Sequence, residues 1–219
     1  MSVTWEVITG DCLEVMPTLT AKVDAVITDP PYGIGFKSNG QLFLGSSSID
    51  GDHSTEIAER VARLWDGVPL AMFYSPYRPL QVKWRSVLVW NKGAQVGIGG
   101  DRETCWKRDF ELIGVRDNGP LNGKRDSGVL SFPASVSKQS GHFAEKPVSL
   151  MCYLVEKLTP PGALILDPFC GSGTTGVACM QTGRNFIGIE IDPGYADIAR
   201  ARIAKAEAQA RQLPLMEAP

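Results

Sequence analysis

Between Ala163 and Glu190 the chain reads as strand, glycine turn, helix and strand, and no other stretch restricts the fold so tightly. The apolar run Ala163 to Leu166 ends in Asp167-Pro168-Phe169-Cys170-Gly171-Ser172-Gly173, a helix runs on to Thr182, and a second apolar run, Asn185 to Ile189, ends at Glu190. Gly171 to Gly176 reads GSGTTG, the G-x-G-x-x-G pattern, and Glu190 stands nineteen positions after Gly171. The glycines permit a tight turn and let a ligand approach the backbone. A carboxylate ending the second strand can accept hydrogen bonds from both hydroxyls of a ribose. A nucleoside-containing ligand fits this pairing, though the pattern does not say which, and a purely structural turn is the alternative. A Walker-type phosphate loop does not fit, because no Lys follows the glycines.

The N-terminal part opens the same way. Trp5 to Ile8 and Val23 to Thr28 read as strands, separated by helical spacing over Cys12 to Leu19. These strands run into Gly10-Asp11 and Asp29-Pro30-Pro31-Tyr32, and in open parallel sheets ligands gather at the carboxyl ends of strands. Two prolines stiffen the second loop, remove two N–H donors and hold the preceding residue extended. The loop therefore presents acceptors. A carboxylate and a fixed carbonyl can accept both hydrogens of an exocyclic amine, and an adjacent ring can stack on the base that carries it. Alone, the tetrapeptide would pass for a turn leaving a strand; the cofactor-type turn elsewhere in the chain favours the amine-binding reading.

Composition narrows the classes. The 219 residues are 43% hydrophobic and 21% charged, enough for one core and unlike a disordered chain. The formal charge of −2 excludes a uniformly basic coat, but it is unevenly spread: residues 81–146 hold eleven Lys/Arg against seven Asp/Glu, leaving the rest at −6. Five scattered cysteines with no CxxC pair indicate neither a disulfide framework nor a zinc site, and fit a reducing cytoplasm. His53 and His142 have no metal-ligand companion, so no metal is expected. No signal-peptide pattern and no long uncharged apolar run is seen, so secretion and membrane spanning are not expected.

Further strands are predicted over Pro69 to Tyr74, Ser86 to Trp90 and Phe110 to Val115. Helices are predicted over Ser54 to Trp65, near Pro79 to Arg85 with a proline interruption, over Lys146 to Leu158, and from Pro193 onward. Residues 33–52, rich in Gly, Ser and Asn, read as a mobile loop or lid, and residues 92–140 as an irregular insertion carrying one strand. The tail after Leu213 is expected to fray.

Taken together, TDPPY early, HFAEKPVSLM, and DPFCGSGTTG followed by IGIEID resemble the amino-group DNA methyltransferases that use S-adenosylmethionine. With the DPPY element ahead of the glycine turn, the order is similar to the permuted beta class. The match covers Glu6 to Gly35 and His142 to Arg202, more loosely Leu88 to Lys92. The resemblance implies one domain over 1–219, an α/β fold with a Rossmann-like, mostly parallel seven-stranded sheet in circularly permuted order, helices on both faces, and a target-recognition-like insertion at 92–140. It implies transfer of methyl to N6 of adenine in DNA after base flipping, with N4 of cytosine as the nearest alternative.

By matching positions, the resemblance gives the catalytic element as Asp29, Pro30, Pro31 and Tyr32, with Asp29 and the Pro30 carbonyl on the amine and Tyr32 stacked on the base. It places Asp167, Phe169, Gly171, Ser172 and Gly173 around the methionine and ribose, Glu190 with Ile191 at the ribose, and Asp11 with Cys12 near adenine. Lys146, in the KP element, and Asp29 also join the cofactor set. Thr174 and Thr175 can donate to the amino-acid carboxylate at a helix N-terminus. Phosphate and base contacts fall to Lys107, Arg108, Lys124, Arg125 and Lys138 with Trp84 and Trp106 interspersed. Cys170 is read as a packing residue, because amino methylation needs no covalent adduct. Trp90-Asn91-Lys92 either packs behind the base pocket or is an ordinary strand end. With no separate recognition domain, sequence discrimination is modest or needs a homodimer or partner. A Rossmann dehydrogenase would leave Asp-Pro-Pro-Tyr unused, and a noncatalytic nucleic-acid binder would use neither loop.

Overall fold

A computed structural model describes residues 3–34, 52–93, 109–116, 121–134 and 145–212. Eight strands, β1 (Trp5–Thr9), β2 (Ala25–Thr28), β3 (Leu70–Tyr74), β4 (Ser86–Asn91), β5 (Phe110–Arg116), β6 (Val129–Ser131), β7 (Leu164–Asp167) and β8 (Asn185–Glu190), form one sheet in the order β1-β8-β7-β2-β3-β5-β4-β6. The five strands from β1 to β3 are parallel; β5 runs antiparallel to both β3 and β4, and β6 pairs parallel with β4. The helices are α1 (Cys12–Val15), α2 (Glu56–Leu64), α3 (Val148–Leu158), α4 (Thr174–Thr182) and α5 (Pro193–Gln212).

Strands β2 and β3 are buried along their whole length, as continuous apolar runs covered on both faces should be. Side chains alternate between the faces. Ile27, Phe73, Ile113 and Ile165 join Leu150, Leu154, Val177 and Ile203 of α3, α4 and α5. Val26, Leu70, Met72 and Leu166 join Cys12, Ala58, Val61 and Ala62 of α1 and α2. Helices thus cover both faces, and the Rossmann-like α/β architecture expected from the sequence is observed.

Four details differ from expectation. The sheet has eight strands, because the short segment Val129–Ser131 adds an edge to β4. Residues 110–116 are no appendage: β5 lies inside the sheet between β3 and β4, so the segment predicted as an insertion supplies part of the core. No helix forms near Pro79 to Arg85. Pro76 and Pro79 remove backbone donors, and the Trp84 ring stacks on Tyr74, its centroid 6.0 Å away, over Gly114, where a Cβ would lie 2.3 Å from the indole. The predicted helix over Cys12 to Leu19 also tightens into a 3-10 turn at Met16–Thr18, where Pro17 sits. The loop predicted over 33–52 falls mostly outside the described residues, as do Lys107, Arg108, Lys138, Trp106 and His142.

Strand β7 leads through α4 to β8 on one side, whereas β2 leads through α2 to β3 on the other. The order therefore reverses between β7 and β2, where the loops after these adjacent parallel strands diverge and leave a crevice. Among the described residues, no helix is long and apolar enough to cross a membrane.

Candidate active site

The glycine turn leaves β7 at this reversal. Gly171 and Gly173 adopt left-handed backbone with φ of 52° and 84°, and a Cβ on Gly173 would lie 2.9 Å from the Ala199 backbone of α5. Glu190, ending the neighbouring β8, accepts from the Gly171 N–H through Oε2 at 2.7 Å and from the Asp192 N–H through Oε1 at 2.9 Å. Burial raises its carboxyl above the ordinary range, although these amides oppose the shift. Gly10 donates to the Glu190 carbonyl at 2.9 Å, and Asp11 caps α1 by accepting from Leu13. Asp11, Cys12, Gly171, Gly173, Glu190 and Ile191 therefore gather at one end of the sheet. Ile191 is exposed and Phe169 is half-buried against the α1–α2 face.

Several residues expected to touch the cofactor turn inward instead. Asp167 is 3% exposed and accepts from Thr28 Oγ1 at 2.7 Å, Thr175 Oγ1 at 2.5 Å and the Phe169 N–H at 3.1 Å. It braces β2 against β7 and α4. Thr175 is thereby committed to Asp167, and Thr174 donates to Glu145 at 3.2 Å. Arg202 of α5 holds both the Ser172 carbonyl and hydroxyl at 2.6 Å and also binds Glu145. These side chains fix the turn; a ligand there meets backbone. Cys170 and Cys12 are buried, with burial pushing the Cys12 thiol up to about 12, as suits packing rather than nucleophilic residues.

Asp167 carries a testable consequence. Burial pushes its carboxyl up from 3.8 to about 6 against three hydrogen bonds that favour the charged form. Between these values the native state binds a proton that the unfolded chain releases. Its contribution to stability is thus complete at pH values below the unfolded value and declines by roughly 3 kcal/mol as pH rises through the folded one. Asp167→Asn should flatten this part of the stability–pH curve, as read from urea midpoints between pH 4 and 7.

Across the crevice stands Asp29. Its Oδ1 accepts from the Tyr32 hydroxyl at 2.8 Å, and its Oδ2 from Lys146 Nζ at 2.5 Å. The same hydroxyl lies 2.8 Å from Glu111 Oε2, Lys146 Nζ lies 3.2 Å from that oxygen, and Lys92 Nζ lies 2.5 Å from Glu111 Oε1. Burial pushes Asp29 above the usual carboxylate range; Lys146 opposes this and Glu111 reinforces it. For Glu111 the upward push of burial is outweighed by Lys146 and Lys92, leaving its carboxyl at about 2. Burial works against the Lys146 ammonium, but the two carboxylates outweigh it and hold its proton. Tyr32 is pushed well above its ordinary value by burial and both carboxylates, and remains a donor.

Lys146, which the resemblance put in the cofactor set together with Asp29, is bonded to Asp29 itself. Pro147 caps α3, and the residue before it, Lys146, thereby reaches the loop after β2. Glu111 was not singled out in the sequence, although its strand was predicted. Trp90 does lie behind this pocket, edge-on to Phe73 at 6.1 Å and 5.8 Å from Lys146 Nζ. Trp84 instead packs on the α1–α2 face. Lys124 and Arg125 line a cavity of about 650 Å³ with Ser86, Gly128 and Leu158, at the opposite end of the strands from Asp29. Asn122 anchors their loop there by donating to the Glu156 carbonyl, and Lys157 by donating to that of Lys124. Among the described residues, no group of three His, Cys, Asp or Glu is placed to hold a metal ion.

A G-x-G-x-x-G turn and an Asp-Pro-Pro-Tyr loop on adjacent strands of a permuted Rossmann-like sheet are the arrangement that the resemblance to amino-methyltransferases implies. Comparison with known proteins agrees. A family model described as DNA methylase, N6_N4_Mtase, matches residues 104–201. An Escherichia coli (strain K12) protein named "Putative methylase YubD" is 30% identical over 217 residues, covering 94% of this chain and 92% of its own. The type II methyltransferase M.HinfI of Haemophilus influenzae is 26% identical over 256 residues, covering 96% of this chain and 71% of its own. The crystal structure of the M1.HpyAVI-SAM complex is similar with a TM-score of 0.63 at 27% identity, covering 91% of this chain and 100% of that chain. The protein belongs to the DNA N6/N4-methyltransferase family, as its resemblance in sequence implied.

Proposed function

We propose that the protein binds S-adenosylmethionine and methylates N6 of adenine in DNA after the base has been flipped from the duplex. The observation that carries this reading is the juxtaposition of Asp29 with the glycine turn, tied by the 2.7 Å hydrogen bond from Thr28 to Asp167. The residues fit the cofactor: Gly171 leaves backbone approachable, with open space where a Cβ would stand, while Gly173 lets α5 pack close, and Glu190 has lone pairs beyond those its two amides use. When bound, S-adenosylmethionine supplies an electrophilic methyl group. Glu190 is assigned to the ribose and Asp11 to the adenine end. The M1.HpyAVI complex with SAM supports the choice over NAD.

The chain's own residues prepare the nucleophile. An exocyclic amine is weakly nucleophilic because its lone pair is delocalised into the ring. Acceptance of its hydrogens by Asp29 and the Pro30 carbonyl favours pyramidal nitrogen and aims the lone pair, and Tyr32 holds the ring plane. Asp29 need only accept hydrogen bonds, because the amine becomes far more acidic once methylated and releases its proton late. Flipping costs a few kcal/mol, which contacts with DNA must offset. We assign these to the basic stretch 81–146, with Lys107, Arg108 and Lys138 as its phosphate-binding candidates and Lys124 and Arg125 further from the target base. A cytoplasmic setting suits such an enzyme, and a homodimer would extend its DNA contact.

Adenine is favoured over cytosine because the loop reads Asp-Pro-Pro-Tyr, whose acidic first residue suits the N6 amine. The test is direct: unmethylated genomic DNA, S-adenosylmethionine with a labelled methyl group, enzymatic digestion, and chromatography of the nucleosides. Label in N6-methyladenine is expected. Label in N4-methylcytosine would replace the base assignment, and label in neither, with cofactor bound, would remove the proposed activity. Single-stranded DNA and RNA offered as competitors identify the polymer.

A further inference from the structure

Each oxygen of Asp29 already holds a donor before any substrate arrives, and the stronger of the two is a cation. Tyr32 occupies one carboxylate oxygen and Lys146 the other, although the proposed reaction needs an acceptor there for the target amine. The ammonium that takes this place is 7% exposed, and the rings of Tyr32, Phe73 and Trp90 lie 5.4, 5.1 and 5.8 Å from it. An N–H donor against a carboxylate, bordered by aromatic rings, is also how a flipped aminopurine would sit. A second carboxylate already stands beside the ammonium: Glu111, 3.2 Å away, held by Lys92 on its other oxygen.

We infer that Lys146 stands on Asp29 in place of the target amine until the base enters, and that Glu111 is the positioning residue that then receives the ammonium. This rests on the amino-methyltransferase reading above. Exchange between two carboxylates keeps the buried ammonium paired throughout, while Asp29 retains the Tyr32 hydroxyl and gains the incoming N–H donor; an ammonium left alone there would be costly. Lys92 makes the exchange workable by keeping Glu111 ionised. No bond is made or broken and no proton changes hands. The base displaces Lys146 by competing for one oxygen, so the resting site resists water and unsuited ligands yet opens to a planar amine.

The groups facing Asp29 are Lys146 ahead of α3, Glu111 on β5, Tyr32 in its own loop and Asp167 ending β7, with Lys92 acting through Glu111. Two substitutions then move the acid limb of kcat/KM in opposite directions. Glu111→Gln keeps size and an acceptor for Tyr32 but removes the like charge near Asp29 and leaves Lys146 no alternative carboxylate. The limb should shift to lower pH, and KM for DNA should rise about tenfold with kcat within about threefold. Lys146→Met removes the cation that favours ionised Asp29, so the limb should shift to higher pH. Adding Glu111→Gln to Lys146→Met should change KM by less than about twofold, because Glu111 acts through Lys146.

The assay uses unmethylated genomic DNA with labelled S-adenosylmethionine, and calorimetry with S-adenosylmethionine alone confirms an intact cofactor site. Should Lys146→Met fail to fold, the limb and KM of Glu111→Gln decide alone. An unmoved KM and limb in Glu111→Gln, or equal losses of kcat and KM effects in both backgrounds, would overturn the inference while the methyltransferase reading stands. A wild-type protein that binds S-adenosylmethionine yet methylates no DNA would remove both.

Discussion

Asp29→Ala should lower methyl transfer by roughly three orders of magnitude, while the affinity for S-adenosylmethionine changes by less than about threefold. The expectation follows from where Asp29 stands. It is the acidic acceptor aimed into the crevice from the β2 loop, and its removal leaves the amine with the Pro30 carbonyl alone. Removing one preorganised electrostatic contact costs about 10²- to 10³-fold in comparable sites, and misorientation of the lone pair adds to this. The protein should survive the change, because Lys146 remains 3.2 Å from Glu111 and Tyr32 keeps Glu111 as acceptor at 2.8 Å. Glu190 and the glycine turn are held by their own hydrogen bonds, none of which passes through Asp29. Single-turnover methylation and calorimetry on the same preparation check both halves. Undiminished turnover would take Asp29 out of the mechanism.

The chemistry-bearing loops were legible because each is contiguous and follows an apolar run of strand length. Asp29 to Tyr32 and Asp167 to Gly176 carry their own punctuation, in prolines and glycines, and the strands before them point both at the same end of a parallel sheet. Glu111 was hidden for the opposite reason. It reaches the site only because β5 pairs with β4 in a register that sets it opposite Trp90, and with β3 so that Leu112 faces Tyr74. Nothing local in Phe110–Arg116 tells which face or which neighbours that strand will have. Lys146 is legible as a motif residue, but spacing along the chain does not say which carboxylates a buried ammonium will reach. Trp84 misled as an aromatic in a basic stretch: Gly114, thirty positions on, leaves the gap that receives its ring. Asp167 was placed in the right loop with the wrong orientation, because two threonines, one on β2 and one on α4, claim its oxygens.

With Asp167, Ser172, Thr174 and Thr175 committed inward, the proposed cofactor contact rests chiefly on Glu190, which makes Glu190→Ala the second large expected effect. Loss of a hydrogen bond to a charged acceptor costs about 1.5–3 kcal/mol, so S-adenosylmethionine should bind roughly 10- to 150-fold more weakly if one such bond is lost. Part of the loss is indirect. Glu190 also accepts from the Gly171 and Asp192 amides, so its removal releases the turn that must present backbone to the ligand. Glu190→Gln separates the two parts: an amide oxygen can still hold one of those N–H groups, but it lacks the charge and the second acceptor. It should fall between wild type and Ala. The acidic pH dependence should follow the same group, since burial raises its carboxyl and the protonated form loses an acceptor, so affinity should drop on acidification in wild type and less in Glu190→Gln. Calorimetric titration with S-adenosylmethionine at neutral and acidic pH measures all three proteins. Equal affinity in wild type and Glu190→Ala would mean that the nucleoside lies elsewhere, and tight binding of NAD by the wild-type protein would overturn the cofactor assignment.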